Sequence, residues 1–211
     1  MGRTSDSGAE FEKDLRAIAQ RAGGSAPAFA QRLIGSVYPD PGKSAGLLVV
    51  DVQHGFSPAA ALVAGINALA PRYAMTAATR FTNAHDSLYR RVLGWNGCSA
   101  GSDTHLAVDF RPGIVIDKWG YGLPRHAVDR LALGRLATDG IKEWHLCGLE
   151  TDACVLAVAF SLWDAGLRPF LLADLCASAS QDLHDAAVAL FARQFGAKSV
   201  LRIEAPPGPG A

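Results

Sequence analysis

The chain has 211 residues, enough for one domain with a single core, and its 20 basic and 20 acidic side chains give a formal net charge of zero. A balanced charge lacks the electrostatic footprint of nucleic-acid binding, and no apolar run is long enough to span a membrane, so we expect a small-molecule partner. Four cysteines without C-x-x-C spacing, with no secretory segment ahead of them, favour reduced thiols in the cytoplasm over disulfides.

Residues 1–45 are predicted to form an extension ahead of the main domain. The first nine residues are small and polar, and we expect them to be disordered. Apolar side chains then recur at helical spacing over residues 10–22, which predicts an amphipathic helix that the Gly23-Gly24 pair ends. A linker containing alanine and proline leads to Lys43. We expect the helix to act as a packing or dimerisation arm.

The rest of the chain alternates strands with helices. Buried-strand patterns occur at residues 46–51, 73–79, 113–118, in a run that ends at Cys147, and at 169–173 and 199–203. Helical patterns occur at residues 59–69, where Ser57 and Pro58 provide a cap and a first-turn proline, and at 88–93, 124–136, 155–163 and 181–195. This rhythm predicts an α/β fold, a three-layer αβα sandwich with a six-stranded, mainly parallel, Rossmann-like sheet. The irregular stretch 94–112 is a candidate active-site wall.

Three of the predicted strands deliver a reactive side chain at or just beyond their C-terminal ends. Asp51 ends the first strand and Lys118 the third, while Cys154 follows the fourth at the start of a helix. Thr151 and Asp152 are good capping residues, so the helix N-terminus is expected to point at the thiol and favour thiolate. Parallel strands bring such residues to one edge of a sheet, where ligands bind in open α/β folds.

Each of these residues also has a purely structural interpretation. Cys154 could be a small buried hydrophobe, Asp51 a turn residue, and Asp117 with Lys118 a solvated charge pair. Their order along the chain is more informative than any one of them. Further residues and motifs accompany these three along the chain. They are the run from Leu47 to Gln53 with Phe56, Tyr121 after Lys118, the run Gly148-Leu149-Glu150-Thr151-Asp152-Ala153-Cys154-Val155, then Ala173-Asp174, His184 and Phe195-Gly196-Ala197.

In this order the motifs resemble the isochorismatase-like cysteine hydrolases, from about Gly46 to Leu201. The resemblance implies an isochorismatase-like hydrolase domain over residues 46–204, followed by a flexible tail, 205–211. It also implies that the matching aspartate is a general base, that the lysine is paired with it and that the cysteine attacks a carbonyl carbon. Members carry a cis non-proline peptide that falls here on Leu149-Glu150, so the backbone N–H groups of Glu150 and Cys154 are expected to form the oxyanion hole.

The same roles follow from what each group needs. A thiol with an ordinary pKa of about 8.5 is only a few per cent thiolate at neutral pH. Lys118 and the helix N-terminus would stabilise the anion, while Asp51 would accept the proton and return it to the leaving nitrogen. Water activated by Asp51 would then cleave the Cys154 thioester.

Aromatic residues and one histidine on the loops at this edge are candidates for substrate contact. They are Phe56, Trp95, Trp119, Tyr121 and His54, each of which could instead be a core or plain surface residue. Nicotinamidase-type relatives bind zinc through an aspartate and histidines, but this region offers only His54, His85 and Asp86, with no tight ligand spacing. We therefore expect neither a metal nor a cofactor. The expected substrates are amides, carbamoyl or ureido compounds and lactams rather than nicotinamide.

Three functions are compatible with these features. The leading one is an amidohydrolase that cleaves a non-peptide C–N bond through a Cys154 thioester. The second is an isochorismatase-type hydrolase of a vinyl ether, which would not need the thiol. The third is a non-catalytic binding module with the same fold. The helix at 155–163 is apolar nearly all round, and relatives are commonly dimers or tetramers, so we expect a homo-oligomer.

Overall fold

The computed structural model describes residues 41–42, 44–137, 141 and 143–202, with the backbone alone over 133–137. The predicted disordered start, amphipathic helix and C-terminal tail lie outside the described residues, as does nearly all of the predicted linker. Within the described ranges, no helix is long and apolar enough to cross a membrane.

Six strands form one sheet in which every pair is parallel. The strands are β1 (Ala45–Val50), β2 (Met75–Phe81), β3 (Ile114–Lys118), β4 (Glu143–Leu149), β5 (Arg168–Ala177) and β6 (Val200–Leu201). Their order across the sheet is β3-β2-β1-β4-β5-β6. All six residues of β1 are buried, as expected for a central parallel strand covered on both faces. The predicted α/β class and parallel sheet are confirmed.

Helices cover both faces of the sheet. They are α1 (Ala60–Leu69), α2 (Leu88–Arg91), α3 (Arg125–Ala137), α4 (Leu156–Asp164) and α5 (Gln181–Phe195). α5 has the bounds that the sequence predicts. The prediction that Ser57 caps α1 is wrong: Ser57 has a positive φ of 49°, and the N-cap is Ala59, which makes no side-chain capping bond.

Some strand ends differ from the prediction because strand pairing continues beyond the predicted C-terminal residues. β2 lies two residues later than predicted, and β4 continues through Gly148 to Leu149. β5 continues to Ala177, with a register shift in its ladder between Leu146 and Gly148 of β4. The extra pairs extend the C-terminal edge of the sheet, the edge that carries the site.

The strand order reverses between β1 and β4, which makes this pair the topological switch point of the sheet. The two strands approach each other closely at their C-terminal ends. Gly148 has a φ of +121°, and a Cβ atom there would collide with the carbonyl oxygen of Val50. Only glycine meets both conditions, so it allows the residues after β1 and β4 to face one crevice.

Candidate active site

Asp51 follows β1 directly and is completely buried. Its backbone has a φ of 52°, a left-handed conformation that aspartate tolerates better than most residues. The Asp51 N–H donates to Thr79 Oγ1 at 2.9 Å, and the Thr79 hydroxyl donates to Asp51 Oδ1 at 2.6 Å. β2 therefore fixes both the backbone and one carboxylate oxygen of the residue, leaving Oδ2 for other partners.

Lys118 is the last residue of β3, two strands away from β1. It pairs in register with Phe81, and its ammonium lies 5.1 Å from the centre of the Phe81 ring. Nζ of Lys118 then lies 2.7 Å from Asp51 Oδ2 and donates to the carbonyl oxygens of Gly120 and Tyr121 at 2.9 and 3.3 Å. The long side chain thus crosses the end of β2 and brings a buried cation to the carboxylate.

The thiol of Cys154 completes the cluster. Its Sγ lies 3.3 Å from Lys118 Nζ, and the residue is only 6% exposed. The structure therefore brings together the three residues that the sequence singles out, at the switch point of the sheet. This geometry is compatible with nucleophilic attack by the thiol, with Asp51 as the nearby proton acceptor.

The electrostatics of the thiol differ from the sequence expectation. Burial raises the pKa of Cys154. The negative charge of Asp51, and a hydrogen bond between Cys154 and Asp51, raise this pKa further, whereas Lys118 lowers it. The net direction is upward, so the protonated thiol is favoured at neutral pH. The sequence predicts a thiolate stabilised by Lys118 and the helix N-terminus, but burial of the thiol and the charge of Asp51 outweigh these two effects.

The turn that carries Cys154 also differs from the prediction. Residues Thr151–Val155 form a π-helical turn before α4, and its N-cap is Glu150, without a side-chain capping bond. The carbonyl oxygen of Glu150 accepts from the N–H groups of Ala153 and Val155 at 3.1 and 3.0 Å. Thr151 and Asp152 are therefore not caps, contrary to expectation. The peptide bond Leu149–Glu150 is cis.

An aromatic cluster lies beside the three residues. Phe56 packs against Trp95 and Phe81, with ring centroids 5.0 and 6.3 Å apart, and Trp95 lies 5.9 Å from Phe81. Tyr89 lies 5.0 Å from Phe81 and 5.1 Å from Tyr121. The structure thus joins three predicted substrate residues, Phe56, Trp95 and Tyr121, through two rings that sequence reasoning missed.

The other two predicted contacts lie apart from this cluster. Trp119 is 60% exposed and makes no ring contact within the described part of the chain. His54 is exposed and lines a surface depression of about 490 Å³ with Asn67 and Asp109, which are hydrogen-bonded to each other. Asp51, Lys118 and Cys154 do not line this depression.

Tyr89 belongs to the electrostatic environment of the site. Burial raises its pKa to about 12, and the charges of Tyr121, Cys154 and Asp51 add to that effect. No motif marked Tyr89, because it lies in a short helix whose sequence resembles an ordinary surface element. The only sequence signal was its place in the segment that leads into the predicted active-site wall.

Gln53 is a second residue whose role sequence reasoning missed. Its side chain is buried, accepts from the Phe81 N–H at 2.7 Å and donates to the carbonyl oxygens of Phe81 and Thr104 at 3.0 and 2.9 Å. It therefore ties the loop after β1 to the end of β2 and to the loop wall. A glutamine two residues after the strand-ending Asp51 was the available signal.

The residues present do not fit the zinc site of nicotinamidase-type relatives. In the described ranges, no three histidine, cysteine, aspartate or glutamate side chains come close enough together to hold a metal ion. His54, at the start of a short 3-10 helix, and His85, in a turn, are both exposed. No chemical step is therefore assigned to a metal.

Comparison with known proteins identifies a family and a fold. Residues 45–200 match the model of the isochorismatase domain. No curated protein matches the chain by sequence.

Several solved structures share the fold at low sequence identity. The pyrazinamidase of Pyrococcus horikoshii in complex with zinc is 19% identical, with 77% of this chain and 99% of that chain covered and a TM-score of 0.63. The pyrazinamidase/nicotinamidase of Streptococcus mutans is also 19% identical, with 76% of this chain and 100% of that chain covered and a TM-score of 0.62. An isochorismatase-like hydrolase from Alkaliphilus metalliredigens is 14% identical, with 76% of this chain and 95% of that chain covered and a TM-score of 0.63.

Proposed function

The chain belongs to the isochorismatase family, and from this membership we propose that it is a cysteine hydrolase that cleaves a non-peptide C–N bond of a small molecule. One observation carries the proposal. Lys118 Nζ lies 3.3 Å from Cys154 Sγ and 2.7 Å from Asp51 Oδ2, so a nucleophile, a cation and a proton acceptor meet in one buried cluster. This combination serves acyl transfer.

The first half of the reaction makes a thioester. Cys154 Sγ adds to the carbonyl carbon of the substrate while its proton passes to Asp51. The tetrahedral intermediate then collapses, the C–N bond breaks, and the leaving nitrogen takes the proton back from Asp51. Because the thiol is protonated at rest, proton transfer accompanies attack, and Lys118 offsets the negative charge that remains on the cluster.

The second half returns the thiol. Water adds to the thioester carbon as Asp51 accepts one of its protons, and collapse of the intermediate breaks the C–S bond. The thiolate that leaves is reprotonated by Asp51, and the carboxylic acid departs. In both halves the backbone N–H groups of Glu150 and Cys154 are the proposed donors to the oxyanion, each worth about 3 kcal/mol when judged by removing one.

The aromatic cluster supports a planar or apolar acyl group as the part of the substrate next to Cys154. Phe56, Trp95 and Tyr121 are the proposed contacts, together with Tyr89. His54 and Trp119 remain candidate contacts further from the cluster. Amides, carbamoyl or ureido compounds and lactams are the proposed substrates.

We also infer a homo-oligomer, a dimer or tetramer. Phe160 and Trp163 of α4 stay exposed at 40% and 47%, and such adjacent aromatic rings are typical of a surface that a partner covers. The cytoplasmic location stays a prediction from the cysteine pattern.

The test is a panel of amides, ureas and lactams assayed for release of ammonia or amine. Wild-type protein should release amine from at least one member, and a thioester on Cys154 should be detectable by mass spectrometry after rapid acid quench. Release that persists in Cys154→Ala at the wild-type rate would contradict the proposal.

A further inference from the structure

The turn that carries the nucleophile lacks an anchor of its own. Residues Thr151–Val155 contain a π-type hydrogen bond, and the N-cap residue Glu150 contributes no side-chain bond to the turn. Single π-turns are rare and are found frequently at functional sites. Because no side chain caps the turn, the position of Cys154 Sγ, 3.3 Å from Lys118 Nζ, depends on groups from outside the turn as well as on its own backbone bonds.

Two side chains from distant parts of the chain supply such anchors. Nδ1 of His184 shares a hydrogen bond of 2.9 Å with Thr151 Oγ1, and the Asp152 N–H donates to Ser178 Oγ at 3.3 Å. The first bond is the better placed of the two, because Thr151 is 2% and His184 8% exposed. Water cannot easily replace a bond buried to this degree.

His184 is itself held rigidly in the first turn of α5. Ser180 caps this 15-residue helix by accepting from the Leu183 N–H at 3.3 Å, and the His184 N–H donates to the Ser180 carbonyl oxygen at 3.1 Å. The imidazole is thus attached to a capped helix that packs directly against the nucleophile turn. A rigid support is what a positioning group needs.

We propose that His184 is a positioning residue for the nucleophile, which it holds in place through its hydrogen bond to Thr151. The proposal rests on the proposed function of Cys154. Thr151 begins the turn in which Cys154 lies, so movement of Thr151 shifts the thiol relative to Lys118 and Asp51. Misplacement of a reacting group by about 1 Å can cost a factor of about 100 in rate.

The bond joins neutral partners. Burial lowers the pKa of His184, and Arg202 acts in the same direction, whereas Asp185, Asp174 and Asp152 oppose it. A neutral imidazole can be replaced by a neutral amide of suitable length. The amide group of asparagine occupies the place of Nδ1, whereas that of glutamine occupies the place of Nε2.

Two matched pairs of variants test the proposal. His184→Asn and Thr151→Ser keep a hydrogen-bonding group at the bond, whereas His184→Gln and Thr151→Val remove it with little change in size. On the best amide of the panel, His184→Gln and Thr151→Val should lower kcat at least tenfold with KM within twofold. His184→Asn and Thr151→Ser should retain kcat within threefold. The double variant His184→Gln/Thr151→Val should lose no more than the worse single one.

Amide hydrogen exchange provides a readout that does not depend on hydrolysis. Exchange in residues 150–156 should quicken at least tenfold in His184→Gln and Thr151→Val, while α5 stays protected. Unchanged exchange, kcat within twofold of wild type, or equal loss in His184→Asn and His184→Gln would overturn the proposal. If wild-type protein hydrolyses no amide, the proposed function fails, and the exchange result alone decides whether His184 anchors the turn.

Discussion

Lys118 Nζ and Asp51 Oδ2 lie 2.7 Å apart, and neither side chain has any exposure to solvent. Charged groups lose hydration when they are buried, so each depends on the other for compensation. The surface pair Arg125–Asp129 differs in this respect, because its side chains are 91% and 56% exposed. The buried pair should therefore behave very differently from the exposed one when one partner is removed.

Lys118→Met should destabilise the protein by about 3 to 5 kcal/mol, because it leaves the Asp51 carboxylate buried without its cation. Arg125→Met is the matched control and should cost less than about 1 kcal/mol. The double variant Asp51→Asn/Lys118→Met should recover much of the stability but none of the activity. Urea unfolding measures all three. Equal stabilities of Lys118→Met and Arg125→Met would contradict the prediction.

Asp51→Asn should abolish hydrolysis and yet make the thiol more reactive. The carboxylate of Asp51 raises the pKa of Cys154, and Lys118 lowers it, so removal of the negative charge leaves the cation unopposed. The rate of alkylation of Cys154 by iodoacetamide should rise at neutral pH, and its pH profile should move toward acid. Asp117→Asn, outside the cluster, should leave the profile unchanged. A slower reaction in Asp51→Asn would show that the aspartate does not hold the thiol protonated.

The sheet and the cluster at its edge could be predicted from the sequence, because both depend on the pattern of apolar residues along each strand. The sheet could be predicted because buried parallel strands are nearly continuous apolar runs, as in Leu47–Val50. The cluster of Asp51, Lys118 and Cys154 could be predicted because parallel strands bring their C-terminal ends to one edge. The family resemblance agreed with both inferences.

The parts that did not follow depend on contacts between residues far apart in sequence. Thr151 looked like a cap, but its hydroxyl bonds His184, 33 residues later. Tyr89 reaches the site only because β2 places Phe81 beside it. The protonation of Cys154 likewise depends on burial and on Asp51, neither of which is visible in the run around the cysteine.

His145 should contribute to acid sensitivity of the fold. Nδ1 of His145 lies 2.6 Å from the Tyr73 hydroxyl in the core, and burial lowers the pKa of His145 from 6.5 to about 4. Between pH 6.5 and about pH 4, His145 binds a proton in the unfolded chain but stays neutral in the native state, so the free energy of unfolding falls as the pH falls. His145→Asn keeps a group near the Tyr73 hydroxyl but cannot titrate.

The measurement is the free energy of unfolding in urea at pH 7 and pH 4.5. His145→Asn loses ring packing against Phe170, so it should be less stable than wild type at pH 7. Its further loss on acidification should, however, be smaller than that of the wild type by about 2 to 3 kcal/mol. Parallel losses in the two proteins would show that His145 does not titrate in this window.

A light-scattering measurement tests the inferred oligomer. The rings of Phe160 and Trp163 pack on Phe195 at 5.1 and 5.5 Å but leave large outer surfaces exposed. The wild type should have the mass of a dimer or tetramer. Trp163→Glu should shift it toward the monomer, whereas Leu93→Glu, at an exposed position outside α4, should not. A monomeric wild type would contradict the inference.

Amide hydrolysis and vinyl-ether hydrolysis differ in what each requires of the Cys154 sulfur. If an amide is cleaved through the proposed thioester, Cys154→Ala should lose at least about three powers of ten in kcat/KM. A vinyl ether needs only proton donation to carbon by Asp51, and the thiol would be a bystander. In that case Cys154→Ala would keep most of its activity, whereas Asp51→Asn would be inactive on either substrate.

Cys98→Ala is the matched control for this experiment. Cys98 is buried like Cys154, and burial with the charges of Asp51 and Asp103 raises its pKa to about 12. Its Sγ lies 3.6 Å from the Asp103 carbonyl oxygen, whereas Lys118 Nζ contacts Cys154 Sγ at 3.3 Å. Contact with the lysine, rather than burial or a raised pKa, therefore distinguishes Cys154, the proposed nucleophile, from Cys98. Cys98→Ala should retain kcat/KM within about threefold, and activity that survives in Cys154→Ala on the preferred substrate would reassign the reaction to ether hydrolysis.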